Sequence, residues 1–286
     1  MSAIKNLINI LNLSPVGDNQ FESSVKEIGW RRVFGGLLLA QGILAAYKTV
    51  ENKKIHSLHS YFVKAGDPDI PIQYKVTSIH DGKSFCQRNI SSYQKNHLIF
   101  YMVVSFHKYE EGLSHQEEMP KNIISHDELK NELELLNNIN ELPDTIRDTR
   151  LRERPIEYRP TKPRNIMSPK KEKPIQNVWL KTSEKIDLTE PLQYAMLAYA
   201  SDYTILDTAL MPHGISIFEK KLQIASLDHS MWFYRSFDIN DWLIYCQKSP
   251  NASNSRGFST GNIFSKNGKL IASVAQEGMI RNMPNI

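Results

Sequence analysis

Cysteine is scarce in this sequence, and its scarcity excludes several classes of protein. Only Cys86 and Cys246 occur among 286 residues, without the paired spacing that zinc sites and disulfide frameworks require. Both lie in apolar, strand-like segments, where a buried and inert thiol is expected. Two isolated thiols suit a reducing compartment, and we therefore expect a cytoplasmic protein.

Long hydrophobic runs and targeting signals are also missing. The longest apolar stretch, residues 33–46, contains Gln41 and falls short of the ~20 residues that a membrane span needs. The first residues, MSAIKNLINILNL, have polar residues spread throughout and no cleavage-like site, unlike a secretory signal peptide. The last residues, MPNI, do not match a peroxisomal signal. The sequence therefore predicts no membrane association.

Strong charge of either sign is absent as well. The formal net charge is +4, which fits an anionic ligand such as a nucleotide but also fits many other proteins. Arg152, Arg154 and Arg159 lie among prolines, with no interleaved aromatic residues and no known nucleic-acid module. We interpret this stretch as a solvated linker and expect no nucleic-acid partner.

What is present is a change of hydrophobic period along the chain. Residues 32–50 are apolar on nearly every side, which predicts a buried helix, with the pair Gly35-Gly36 marking its start. A second apolar helix is predicted at residues 189–210, and shorter ones after Ser2 and from a capping box at Ser125. Period-two patterns predict strands at 55–63, 72–79, 84–93, 98–107, 222–234, 241–247, 255–264 and 269–278.

The two halves of the sequence repeat one plan. His59-Ser60 matches His229-Ser230, and QKNHLIFYMVVSF matches SKNGKLIASVAQE, with offsets near 170 residues. We predict an α+β fold of the double hotdog type, in which two repeats of a long buried helix are wrapped by antiparallel sheets. The predicted domains are an N-terminal repeat (1–110), a linker (111–175) and a C-terminal repeat (176–286) that carries the active site.

Several polar residues in apolar surroundings are candidates for chemistry. Asp202 interrupts the second helix, Gln276 interrupts a strand, and Ser226 offers a hydroxyl near a strand start. Taken alone, each also fits a structural role, and the acids Asp228 and Glu277 compete for the acid–base function. The first helix has only Gln41 where the second has its acid, so the duplicated body should hold one active site.

Common catalytic motifs do not occur in the sequence. There is no G-x-S-x-G elbow, no Gly-rich phosphate loop and no H-E-x-x-H, so serine-hydrolase and metal-hydrolase hypotheses have little support. His59 and His229 could act as general bases, but their matching places in both repeats favour an architectural role.

A set of motifs in one order makes the sequence familiar. RRVFGG, HSLHSYFVKAGD, YASD, LDHSMWFYR, NSRGF and QEGMIRN extend over nearly the whole chain. Together they resemble the type II (TesB-like) acyl-CoA thioesterases, a double-hotdog family. The resemblance implies hydrolysis of medium- to long-chain acyl-CoA to free fatty acid and CoA, an EC 3.1.2 activity without metal or cofactor. It also implies a homodimer or homotetramer.

The resemblance assigns roles to particular residues. In that family an Asp, a Thr and a Gln orient the attacking water, and the matching motifs place them at Asp202, Ser226 and Gln276. Serine in place of threonine retains the hydroxyl but loses the β-branch that stiffens the rotamer. His56, in the HSLHSYF segment, is a possible secondary catalytic residue, as is Asp228.

The remaining expected contacts concern the substrate. Backbone N–H groups of Gly35 and Gly36, at the predicted helix start, are candidate donors to the oxyanion. Arg256 is a candidate for binding the CoA phosphates. Two other hypotheses stay open: a non-catalytic acyl-CoA-binding hotdog protein, and a hotdog hydratase or dehydratase, which would need a His or a second acid facing Asp202.

Overall fold

The computed structural model describes residues 1–23, 32–137, 139, 152–219 and 221–283, so that Arg31 of the RRVFGG motif lies outside the described residues. The helices are α1 (Ala3–Leu11), α2 (Gly35–Tyr47), α3 (Glu132–Asn137), α4 (Glu190–Ser201) and α5 (Asp207–Leu210). The strands are β1 (Leu13–Gly17), β2 (Gln20–Ser23), β3 (Lys54–Phe62), β4 (Gln73–Asp81), β5 (Phe85–Gln94), β6 (His97–His107), β7 (Ile156–Pro160), β8 (Ile175–Thr182), β9 (Leu222–Ser226), β10 (Asp228–Phe233), β11 (Leu243–Ser253), β12 (Arg256–Ser265) and β13 (Leu270–Asn282).

These strands form one antiparallel sheet that wraps around two helices. The strand order is β1-β2-β4-β5-β6-β3-β10-β13-β12-β11-β8-β7, with β9 also paired to β13. The two halves meet at the centre, where β3 pairs with β10. The prediction of two helix-and-sheet repeats joined in one continuous sheet is confirmed. In the described part of the chain, no helix has both the length and the apolarity to cross a membrane.

The two long helices lie side by side in the core and run in opposite directions. The start of α2 meets the end of α4, where a methyl group added at Gly36 would lie 2.4 Å from the Tyr199 carbonyl oxygen. At the other end, the Tyr47 and Tyr194 rings stack with centroids 6.5 Å apart. Because nearly every residue of α2 from Gly36 to Ala46 is buried, its lack of a polar face is explained.

The two halves correspond in detail, and their hydrogen bonds fix the register. The Val63 N–H donates to the Ile99 carbonyl (2.9 Å), and the Tyr234 N–H donates to the Ile271 carbonyl (2.8 Å) at the matching corner of the second half. Val63 therefore corresponds to Tyr234, an offset of 171 residues (234 − 63).

This register corrects the sequence alignment of the two His-Ser pairs by one residue. His59 lies opposite Ser230 and is exposed, whereas His229 lies opposite Ser60 and is fully buried. Because neighbouring residues of a strand face opposite sides of the sheet, a one-residue slip exchanges core and solvent. The two histidines are not equivalent, and their similarity is no argument that they share one role.

Several local predictions were wrong. The helix predicted over 189–210 ends at Ser201, and after a turn a short helix resumes at Asp207. Ser125 makes no side-chain cap bond, and α3 begins at Glu132. Ser2 precedes α1 without capping it through its side chain. The proline-rich linker contributes strand β7, which lies at the edge of the sheet. Its last residue is Pro160, and an edge strand can include a proline because it tolerates the missing N–H.

The close approach of α2 and α4 should make Gly36 intolerant of a side chain. Gly36→Ala is expected to lower the free energy of unfolding by about 1–3 kcal/mol, the usual effect of overpacking a rigid contact. Gly112→Ala is the matched control, since a methyl group there would meet nothing within 4 Å. Denaturant unfolding measures both, and equal stabilities of the two variants would contradict this account of the packing.

Candidate active site

Three side chains from separate elements of the second half meet in one polar cluster. The Ser226 hydroxyl donates to Asp202 Oδ1 over 3.0 Å, and Gln276 Nε2 donates to Ser226 Oγ over 3.0 Å. Asp202 and Gln276 are buried, and Ser226 is half-buried. The structure thus brings together the Asp, the hydroxyl and the amide that the sequence resemblance paired.

Asp202 owes its position to the break in the predicted long helix. It is the C-cap residue of α4, and the chain turns sharply after it. Leu206, in that turn, sits against Gly278 of β13, where an added methyl group would lie 2.4 Å from the leucine side chain. Gly278 is also the residue that pairs with Ser226 across β9 and β13. One glycine contact therefore draws the Asp202 turn onto the strand pair that carries Ser226.

The start of α2 forms the other wall of the cluster. A methyl group added at Gly35 would lie 2.6 Å from Asp202 Oδ2, so only glycine leaves the carboxylate this close to the helix start. A carboxylate at the C-terminus of α4 is disfavoured by the partial negative charge there. The positive N-terminus of α2, whose first N–H groups have no intrahelical acceptor, offsets that effect.

A fourth buried residue joins the cluster and was ranked as architectural from the sequence. His229, which is fully buried, hydrogen-bonds through Nδ1 to Gln276 Oε1 and through Nε2 to the Ser201 hydroxyl (3.0 Å). Burial lowers the pKa of His229, and the nearby Asp202 carboxylate partly opposes that shift. The misaligned His-Ser pairs concealed this residue, since only the strand register shows that it faces inward.

Two other predicted residues lie outside the cluster. The His56 ring hydrogen-bonds to Ser105 Oγ (2.8 Å) and makes edge contacts with Phe85 and His107, all in the first half. Burial and two neighbouring histidines lower its pKa. Asp228, the other secondary candidate, accepts the Glu277 backbone N–H (2.7 Å), and burial raises its pKa. Among the residues that the structure describes, neither side chain hydrogen-bonds to Asp202, Ser226 or Gln276.

The candidate phosphate ligand has a partner within the chain. Arg256 Nε lies 3.0 Å from Glu277 Oε1 in a partly exposed ion pair. Such a pair is weak in water, so a phosphate could compete for the guanidinium. Glu277, the rival acid of the sequence analysis, is thus engaged away from the Asp202 carboxylate.

A cavity lies next to the turn that follows Asp202. Its volume is about 130 Å³, and its wall includes Tyr203 and Thr204 but not Asp202 itself. Its apolar lining comes from α3, β8, α5 and the loop after them: Leu135, Leu136, Ile139, Val178, Leu210, Ile215, Ile217 and Phe218. Lys162 and Arg164, both beside Glu172, provide positive charge at the same cavity. An apolar chamber with cations suits a ligand that has an oily part and an anionic part.

Comparison with known proteins matches both halves of the chain to one family. Residues 146–279 match a family model described as acyl-CoA thioesterase, and residues 22–107 match one described as the acyl-CoA thioesterase N-terminal domain. Acyl-CoA thioesterase 2 of Haemophilus influenzae is 35% identical over 280 residues, covering 97% of this chain and 98% of that protein. Acyl-coenzyme A thioesterase 8 of Homo sapiens is 33% identical over 294 residues, covering 97% and 89%.

A solved structure gives the same result for the fold. Acyl-CoA thioesterase II TesB2 of Mycobacterium marinum superposes with a TM-score of 0.79 at 33% identity, covering 96% of this chain and 98% of that one. A hot dog fold protein of Alicyclobacillus acidocaldarius superposes with a TM-score of 0.78 at 16% identity, which bears on the fold alone. The chain therefore belongs to the acyl-CoA thioesterase family of double-hotdog hydrolases.

Proposed function

We propose that this chain hydrolyses medium- to long-chain acyl-CoA with a water molecule held by Asp202, Ser226 and Gln276. The observation that carries the proposal is the Ser226 hydroxyl, which lies 3.0 Å from both the carboxylate and the amide. Because one hydroxyl bridges the carboxylate and the amide, the orientations of both side chains are fixed. Fixed donors and acceptors can hold a water molecule in one orientation for attack.

Asp202 is the proposed general base. Its Oδ1 accepts a hydrogen bond from the Ser226 hydroxyl, and its Oδ2 faces the start of α2, beside Gly35. A water on that side would give its proton to the carboxylate while its oxygen attacks the thioester carbonyl. The tetrahedral oxyanion then needs donors in a dry place, and the N–H groups of Gly35 and Gly36 are the proposed ones.

The leaving group explains why so few groups suffice. A thiol has a pKa near ~8.5, so the thiolate of CoA departs without a strong general acid. The acyl carbon–sulfur bond breaks as the carbonyl re-forms, and the products are the fatty acid and the thiol. Because water is the nucleophile, the proposed reaction uses neither of the chain's cysteines, whose pKa values are raised by burial.

The cavity beside Tyr203 is the proposed acyl chamber. Its apolar lining suits an acyl chain, and Lys162 and Arg164 would face the anionic part of the substrate. Arg256, the first residue of β12, is the further proposed phosphate contact. The C-terminal repeat would then carry the catalytic groups, while the first repeat contributes the helix start at Gly35.

Assembly and location complete the proposal. We propose a homodimer or homotetramer in the cytoplasm, as the resemblance and the thiol usage imply. In support of assembly, Tyr61 lies opposite Tyr101 on the outer face of the sheet, and both rings are exposed, with exposed Val63 nearby. Apolar groups gathered on an outer face are typical of contact surfaces.

Removing the proposed base tests the mechanism directly. Asp202→Asn should lower kcat about a hundredfold or more, because the amide cannot take a proton from water. Asp228→Asn is the matched control, since its side-chain oxygen still accepts the Glu277 N–H and activity should stay near normal. Release of free thiol from acyl-CoA measures both. Near-normal turnover of Asp202→Asn would move the base elsewhere, and the absence of hydrolysis by the native chain on acyl-CoA of every length would reject the function.

The bridging hydroxyl gives a second prediction. Ser226→Ala should lower kcat by about tenfold or more, because it removes the donor to Asp202 and the acceptor for Gln276 together. Ser226→Thr keeps the hydroxyl and should retain most of the native rate. The comparison of the two variants in the same thiol-release assay is decisive: equal losses would show that the hydroxyl itself is not used.

Narrowing the cavity tests the acyl chamber. Ile217→Trp should reduce kcat/KM for palmitoyl-CoA by about tenfold while leaving butyryl-CoA nearly unchanged, because only the longer chain reaches that wall. Ile79→Trp, the same substitution at an exposed position of β4, is the control and should change neither value. An equal loss for both substrates with Ile217→Trp would place the acyl chain in another part of the molecule.

A further inference from the structure

We propose that His229 is a positioning residue for this reaction: its Nδ1–H fixes the orientation of the Gln276 amide, and through it the proton of Ser226. The inference rests on the proposed function, because it explains how the catalytic trio is held in one arrangement. His229 hydrogen-bonds to Gln276 and to Ser201, and among the described residues it bonds to neither Asp202 nor Ser226.

The order of donors follows from the charge of Asp202. An ionised carboxylate only accepts hydrogen bonds, so the single proton of Ser226 must point at Asp202 Oδ1. Ser226 Oγ must then accept from Gln276, which places the amide nitrogen towards the serine. The amide oxygen is left facing His229, and since that oxygen can only accept, His229 must carry its proton on Nδ1.

The opposite tautomer of His229 would undo this order. With the proton on Nε2, the Nδ1 lone pair would face the lone pairs of Gln276 Oε1, and the amide would flip to relieve the repulsion. The flipped amide would present its oxygen to Ser226 and take the serine proton away from Asp202. The tautomer of one buried ring therefore decides where the catalytic hydroxyl points.

Ser201 is the partner of the other ring nitrogen. Its hydroxyl lies 3.0 Å from His229 Nε2 and 2.9 Å from the Ala198 carbonyl oxygen, and it has one proton for these two acceptors. With the His229 proton on Nδ1, the hydroxyl proton goes to Nε2. Burial lowers the pKa of His229, which keeps the ring neutral and the two nitrogens different in role. Because Ser201 directly precedes Asp202, the hydrogen bonds and the backbone close a ring around the site.

The position equivalent to His229 in the first half of the chain holds an apolar residue. Val63 and Tyr234 are equivalent, so the residues five before them, Leu58 and His229, are equivalent too. Ile99 and Ile271 are likewise equivalent, so the residues five after them, Val104 and Gln276, correspond. Leu58 lies opposite Val104, and both are fully buried. The same backbone geometry is thus stable with an apolar pair, so packing alone does not require histidine in the second half.

Three substitutions at one position test the proposal. His229→Leu copies the first half and should lower kcat about ten- to a hundredfold with little change in KM, as for partners that orient a ligand of a metal. His229→Asn places a side-chain N–H where Nδ1 was and should recover most of the native kcat. His229→Gln places its nitrogen one bond further out, near the Nε2 position, and should behave like the leucine variant.

The assay is thiol release from acyl-CoA by the full chain, with thermal unfolding of every variant recorded alongside. Native kcat in a folded leucine variant, or equal kcat for the asparagine and glutamine variants, would overturn the proposal. If the leucine variant does not fold, the asparagine–glutamine comparison still decides. Hydrolysis by the native chain in the same assay separates this outcome from a failure of the proposed function.

Discussion

The end of one buried helix against the start of the other is the contact on which the site depends. Helix α4 brings Asp202 to its C-terminus, and α2 brings its first N–H groups to the same point. Gly35 and Gly36 permit this approach, since any side chain there would strike the carboxylate or the Tyr199 carbonyl. The two helix ends have opposite partial charges, so the carboxylate that α4 disfavours is stabilised by α2.

The sheet supplies the rest of the site by register. The other polar residues lie on three neighbouring strands: Ser226 on β9, Gln276 on β13 and His229 on β10. Both β9 and β10 pair with β13, and their register puts the three side chains on the same side of the sheet. The turn after Asp202 is seated on the same strands through Leu206 and Gly278. The contacts that hold these strands together therefore also hold the polar side chains together. A shift of one residue in any of the strands would turn its polar side chain to the other face of the sheet.

Much of this could be predicted from residues alone. Buried helices without a polar face, alternating strands and the doubled plan predicted the architecture, and an acid in an apolar helix made Asp202 a candidate. The role of Ser226 came only from the family resemblance, because a serine near a strand start has no distinguishing pattern. The turn after Ser201 packs through Leu206 on Gly278, which lies 77 residues beyond that serine (278 − 201), and no local pattern shows this contact.

The misaligned His-Ser pairs and the overextended second helix have one physical origin. His229 was set aside because its neighbour sequence resembled that of His59, yet similarity of letters does not report which face of a sheet a residue occupies. The end of the second helix was likewise extended because its apolar run continues past Asp202. In both cases the deciding interaction is between strands or between a turn and a strand, which propensity and period do not contain.

The shared sheet has a consequence for how the duplicated chain could have changed over time. The second copy keeps a polar pair at His229 and Gln276, where the first copy holds Leu58 and Val104. In the proposed mechanism the first copy needs no polar groups at these positions, but it needs the glycines at its helix start, because those serve the other copy. Neither copy would then carry a complete active site, so the two would have to be inherited together.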